Sequence, residues 1–186
     1  MSGIEIEVKL RVTDPGGIQR RLTEWGVRLL HAREFEDNWL YDFPDGGLMR
    51  RGAMLRLRVL GRAVLLTYKD RSRIESGVKV RGEIETTLPP SEGESLASIL
   101  SSVGFMTVFR YQKYRTTWGV GGLLIMLDET PIGVYLELEG ERPLIDRMAT
   151  RLGYAPTDFI PKSYRDLYLE SSRDCSQPLD RMLFAP

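Results

Sequence analysis

At 186 residues with 42% hydrophobic side chains, the chain is long enough to bury one sizeable core and short enough for a single domain to be the default. Its 26 Lys plus Arg are offset by 26 Asp plus Glu, so no overall field gathers polyanions and any anion site must be built locally. No run approaches the roughly 18 apolar residues that cross a bilayer and no secretory leader opens the chain, so a cytoplasmic protein is expected. The single Cys175, in a polar tail, excludes an intrachain disulfide and a cysteine-built metal site.

Taken in order, Ile4 to Val12 alternates strictly, with Ile4, Ile6, Val8, Leu10 and Val12 on one face and Glu5, Glu7, Lys9 and Arg11 on the other, which predicts a strand. Asp14 and Pro15 then read as an N-cap and first-turn pair for a short helix that ends at Gly26. Strands are predicted near 34–43, 53–60, 63–70 and 78–88. Ser91 with Glu94 forms a capping-box pattern for a helix over Leu96, Ile99, Leu100 and Val103, closed by Gly104. Further strands are predicted near 106–118, 123–129 and 132–140, with Gly119 to Gly122 as a hairpin turn. Leu144, Ile145, Met148, Ala149 and Leu152 mark another helix, and a last short one starts near Ser163. About eight strands joined by tight turns pair antiparallel and can close on themselves. The expected class is α+β, a closed eight-stranded antiparallel β-barrel with helices packed outside. It occupies residues 1–170 and is followed by a tail over 171–186.

Strand after strand opposes an apolar face to a face of full charges. Glu5, Glu7 and Lys9 begin the pattern; Arg56 and Arg58, Lys69, Glu83 and Glu85, Lys113 and Arg115, and Glu137 and Glu139 continue it. Any one of these pairs is an ordinary solvated strand face. If helices cover the apolar side of a closed barrel, however, all of these charges share one lumen, and that lumen needs counter-ions. Clustered carboxylates beside a lone His31 suit hard cations such as Mg²⁺ or Mn²⁺ rather than zinc. Clustered Arg and Lys suit phosphate oxygens. No P-loop pattern is present, so side chains would have to hold the phosphate. Arg50, Arg51, Arg62, Arg71 and Arg73 read equally well as an anion-guiding rim or as plain surface. His31 has no implied partner, and Trp25, Trp39 and Trp118 read as core.

The segment Glu5-Ile6-Glu7-Val8-Lys9 resembles the E-x-E-x-K signature of the CYTH superfamily, the triphosphate tunnel metalloenzymes, which include class IV adenylate cyclases and thiamine triphosphatases. The later groups follow in that family's order: Arg56-Leu-Arg58, Lys69, Glu83-Ile-Glu85, Lys113-Tyr-Arg115, Asp128, Glu137-Leu-Glu139 and Lys162-Ser163-Tyr164. The stretch Asp37 to Asp42 also resembles the family's acidic, aromatic second strand, and the likeness spans about residues 4–170. The resemblance implies an eight-stranded tunnel with Glu5, Glu7, Asp128, Glu137 and Glu139 as ligands of Mg²⁺ or Mn²⁺. It implies that Lys9, Arg56, Arg58, Lys69, Lys113, Arg115 and Lys162 bind phosphate, with Lys9, Glu83 and Glu85 in catalysis. Glu83 and Glu85 would bind metal or orient a water.

Two reactions are implied: hydrolysis of a small triphosphate (inorganic tripolyphosphate or a nucleoside triphosphate), or cyclisation of ATP to cyclic AMP and pyrophosphate. Hydrolysis is the favoured reading. Met54 stands where thiamine triphosphatases carry a Trp, which disfavours thiamine triphosphate. A barrel that binds polyphosphate or nucleotide without turnover is the rival reading, and so many carboxylates around an anion argue against it. Zero net charge and the absence of a stacking motif argue against a nucleic-acid partner. A homodimer is a further expectation of the resemblance, with no interface signature in the sequence.

Overall fold

Ser2–Val12 forms β1 in the computed structural model, which describes residues 2–172 and 178–185. Asp14 caps α1 (Pro15–Glu24) by accepting a hydrogen bond from the amide of Gly17 at 2.8 Å. A Cβ at Gly17 would lie 2.1 Å from that carboxylate, so the cap requires the glycine. The chain continues through β2 (Arg28–Asp42), the one-turn α2 (Gly47–Arg50), β3 (Met54–Val59), β4 (Val64–Lys69), the short β5 (Arg73–Glu75) and β6 (Val78–Leu88). After α3 (Gly93–Ser102) come β7 (Met106–Val120), β8 (Leu123–Thr130), β9 (Gly133–Glu139), α4 (Arg142–Arg151), α5 (Tyr164–Ser171) and β10 (Arg181–Met182).

The antiparallel pairings run β1–β9–β8–β7–β2–β3–β4–β6, and β6 pairs back onto β1, so the hydrogen bonding of eight strands is ring-like. The class is α+β, as expected, with two additions. β5 pairs with β6, and β10 lies parallel to β7, placing part of the predicted tail on the sheet. Cys175 lies outside the described residues.

The second strand begins at Arg28, earlier than the charge alternation showed, because its first half pairs with β7 through irregular register that breaks the period of two. The capping box expected at Ser91 and Glu94 does not form. Pro90–Glu92 is a 3₁₀ turn and Glu92 takes the N-cap position without a side-chain bond. The β7–β8 turn is tighter than the Gly119 to Gly122 reading: Gly119 and Val120 stay paired in β7, and Gly121 and Gly122 both have positive φ, 54° and 86°, which a two-residue hairpin demands.

The apolar strand faces point outward. Val8, Leu10, Ile125, Leu127, Leu136 and Leu138 are buried beneath Ile18 and Leu22 of α1 and Ile145 and Met148 of α4. Leu57 and Val64 pack against Leu100 of α3. Cover is incomplete, since Ile4 and Ile84 on adjoining strands remain exposed. α5 departs from the expectation that helices lie outside. Its Tyr164 and Tyr168, four residues apart on one face, join Phe109, Tyr111 and Tyr135 from the inner face of the sheet. Trp118 is core, whereas Trp25 and Trp39 are partly buried and lie under Arg151 and Arg110.

Candidate functional site

Period-two alternation turns charged residues from seven of the eight ring strands into one cavity of about 370 Å³, to which β8 adds Leu124 and Met126. Its lining includes Glu5, Glu7 and Lys9 of β1, Arg56 and Arg58 of β3, Lys69 of β4, Glu83 and Glu85 of β6, Lys113 and Arg115 of β7, and Glu137 and Glu139 of β9. Two residues of the sequence pattern stand elsewhere. Asp128 is fully buried beneath the wall and is not among the lining residues. Lys162 is exposed and its Nζ pairs with Glu170 at 2.8 Å; only its carbonyl is turned this way, accepting from Lys9 at 3.4 Å.

One wall, from β1, β6 and β9, is carboxylate-rich. Lys69 holds Glu5 at 2.5 Å and Glu83 at 2.7 Å, Lys79 holds Glu7 at 3.0 Å, and Arg81 reaches Glu5 at 2.7 Å and Glu7 at 3.4 Å. Burial works against the ionised Glu7 carboxylate, yet Lys79, Lys9 and Arg81 outweigh it and hold its pKa at about 2. Glu139 goes the other way. Burial, then the neighbouring charges of Glu5, Glu7 and Glu83, push it up to about 7.

The opposite wall, from β3 and β7, is basic. Arg58 donates to Asn38 at 2.9 Å and lies 3.3 Å from Glu36; Lys113 lies 2.8 Å from Asp128 and 3.4 Å from Glu36. Arg115 grips Asp128 at 2.6 Å and also contacts Glu137. The Tyr164 hydroxyl donates to Asp128 at 2.7 Å, so the Asp128 carboxylate is occupied in holding the wall together. Arg56 is buried and bonds Thr67 at 3.3 Å and the Tyr111 hydroxyl at 3.4 Å, but its Nε has no hydrogen-bond partner among the described residues. A buried guanidinium N–H without a partner costs the desolvation of that group, so Arg56 is held here at the expense of stability. Glu36 Oε2 has no well-aligned hydrogen bond among the described residues, but Arg58 and Lys113 lie within ion-pair distance and balance its charge, which needs no aligned N–H. Lys9 links the walls, 2.9 Å from Glu137. Burial disfavours its charge, but Glu137 and Glu7 outweigh burial and raise its pKa, so it stays protonated.

Sequence reasoning missed Glu36, Lys79, Arg81 and Tyr111. Three of them carried a readable signal: Lys79 and Arg81 continue the alternation of Glu83 and Glu85, and Tyr111 continues that of Lys113 and Arg115. Glu36 lies where the register shifts of β2 obscure the period.

The oxygen-only donor set and the raised Glu139 both fit a hard cation, which would supply the positive charge that the Glu5, Glu7, Glu83 and Glu139 group lacks. Among the described residues no three carboxylates already converge on one metal position, because lysine and arginine hold most of them. Nor is any helix among those residues long and apolar enough to cross a membrane.

Comparison with known proteins agrees with this geometry. The chain is similar to a Methanocaldococcus jannaschii protein provisionally assigned as an adenylate cyclase, 25% identical over 73% of this chain and 76% of that one. It is also similar to the inorganic triphosphatase of Haemophilus influenzae, 29% identical over 61% of this chain but only 35% of that longer protein. Among solved structures, a Pyrococcus horikoshii protein superposes with a TM-score of 0.75 at 26% identity, covering 90% of this chain and 99% of its own. The family model of the CYTH domain matches residues 3–164, taking in the ring of strands and the charged cavity, and this chain belongs to the CYTH domain family.

Proposed function

We propose that this chain hydrolyses a small triphosphate, inorganic tripolyphosphate or a nucleoside triphosphate, with a divalent cation, inside a tunnel-like barrel formed by the eight-stranded ring. The observation that carries this reading is the basic wall itself. Arg56, Arg58, Lys113 and Arg115 face a carboxylate wall across one cavity. Phosphate oxygens accept from guanidinium and ammonium groups of this kind, with the guanidinium fork matching two oxygens at once.

A bound Mg²⁺ or Mn²⁺ would neutralise phosphate charge and lower the pKa of a water, and Glu5, Glu7, Glu137 and Glu139 would hold it. Asp128, with its carboxylate occupied, instead positions Lys113 and Arg115. The basic residues fix the triphosphate in line and stabilise charge on the departing diphosphate oxygen. Lys9, protonated and central, neutralises or protonates that oxygen as its bond to the terminal phosphorus breaks. Glu83 and Glu85 orient the attacking water.

The Haemophilus influenzae relative favours hydrolysis. The better coverage of the Methanocaldococcus jannaschii relative favours a second reading, in which the ribose 3′-hydroxyl of ATP attacks the α-phosphorus and expels pyrophosphate. The deciding assay incubates the purified protein, beside a Glu7→Gln control, with Mg²⁺ or Mn²⁺ and either ATP or tripolyphosphate, and resolves the products by chromatography. Orthophosphate without cyclic AMP is expected. Cyclic AMP with pyrophosphate would establish the cyclase, and silence with both substrates would return the chain to a binding role.

A further inference from the structure

Residues 178–185 return to the ring and tie two of its neighbours together. β8 pairs with β7 over residues 114–120, and among the described residues the edge of β7 before Tyr114 is taken by β10, where Arg181 stands opposite Arg110 and Met182 opposite Tyr111. The Arg110 amide donates to the Asp180 carbonyl at 3.0 Å, and the Phe184 amide donates to Oε1 of Gln112 at 3.3 Å. The Phe184 ring packs on Tyr114 with centroids 5.3 Å apart. On the other side, the Tyr168 hydroxyl of α5 donates to the Pro178 carbonyl at 2.9 Å. The segment is a strap from α5 to β7.

Met182 is the buried anchor of this strap, 1% exposed among Phe109, Tyr111, Tyr135, Tyr164 and Tyr168. Two of those tyrosines have a second duty. The Tyr111 hydroxyl accepts from Arg56 at 3.4 Å, and the Tyr164 hydroxyl donates to Asp128, which in turn holds Lys113 and Arg115. Both tyrosines line the charged cavity and also a neighbouring cavity of about 630 Å³, whose lining of Phe43, Met106, Val108 and Pro161 makes it an apolar chamber. They therefore stand between a charged site and an apolar space, and their placement depends on what packs behind them. A close-packed interior leaves a buried ring few alternative positions, and removing its neighbour restores them. We propose that Met182 is a positioning residue for the triphosphate site, acting through Tyr111 and Tyr164 on Arg56, Lys113 and Arg115. The proposal rests on the reading that the charged cavity holds the triphosphate. It places a determinant of that site beyond residue 164, where the family match ends.

The test is calorimetric binding of inorganic tripolyphosphate to the metal-free full-length chain, at a temperature where circular dichroism shows each variant folded. Met182→Ala is expected to weaken binding by about tenfold, within the range of couplings between contacting residues. Met182→Leu, which keeps the volume, should stay within about twofold of wild type. If Met182 serves the fold alone, a folded Met182→Ala protein binds as tightly as wild type, and that result would overturn the proposal. A Tyr111→Phe, Tyr164→Phe background removes the two hydroxyls through which the strap acts, so adding Met182→Ala there should cost less than about twofold; the same tenfold loss in both backgrounds would also overturn it. Tyr168→Phe, which removes only the hydroxyl bonded to Pro178, should weaken binding by about threefold, and it carries the test if Met182→Ala does not fold. Unchanged binding in that variant would then decide against the strap. Absence of binding by the wild type would remove the triphosphate reading and the proposal with it, whereas tight wild-type binding lost in Arg58→Ala but not in Met182→Ala would remove the proposal alone.

Discussion

Arg58 shows what each inward side chain does before any ligand arrives. It holds Asn38 and faces Glu36 at 3.3 Å, so the basic wall is preorganised by the amide and the carboxylate beside it, and little must move when phosphate binds. Arg58→Ala should lower turnover by about a hundredfold or more; a steady-state assay alongside a circular dichroism spectrum would show loss of rate with the fold retained. Arg58→Lys should recover only part of it, since an ammonium cannot reproduce the planar fork. Glu139 carries a pH signature. Its folded value, about 7, lies above the ordinary 4.5, so between those limits the folded state holds the extra proton. Metal-free protein should therefore lose stability as pH rises from about 4.5 to about 7. Glu7, held at about 2, contributes only below this window. Urea denaturation with chelator at pH 5 and pH 8 would expose the loss, and Glu139→Gln should remove most of the difference. A Glu139→Gln curve with the same pH dependence as wild type would place the cause elsewhere.

At the scale of elements, α5 decides how the cavity is closed. Its capping box, in which Ser163 accepts from the Asp166 amide while Asp166 accepts from the Ser163 amide, fixes the first turn from which Tyr164 reaches Asp128. Ser163→Ala should cost about 1 kcal/mol. It should lower the melting temperature by about 2–4 °C, with an accompanying fall in activity if Tyr164 loses its seat; an unchanged melt would mean that tertiary packing alone holds the helix. The start of this helix near Ser163 was legible in the sequence, because a capping signal is local to the chain. The apparent cap at Ser91 and Glu94 was equally legible and did not form. Pro90 opens a 3₁₀ turn there, and local geometry overrides a pattern that only spacing supports.

Across the whole molecule, the eight strands are tied into one ring whose interior charges nearly neutralise each other, so a triphosphate with its cation adds interactions to every wall at once. Saturating Mg²⁺ and tripolyphosphate, at about a hundred times Kd, should stabilise the fold by about 2.7 kcal/mol. Thermal melts should show a rise of about 5–10 °C, absent in Arg58→Ala; no shift in the wild type would count against the cavity as the binding site. The sequence by itself determined the eight ring strands, most of their ends and the charged faces, because period-two alternation is a local property of the backbone. Tertiary structure alone decided which charges meet. It covered Asp128 with Lys113, Arg115 and Tyr164, turned Lys162 out beside Glu170, drew Glu36 into the cavity, and opened the apolar chamber between β2, β7 and α5. Strand period tells which face a side chain occupies, but depth and partners depend on strands distant in sequence, and only closure of the ring brings those together.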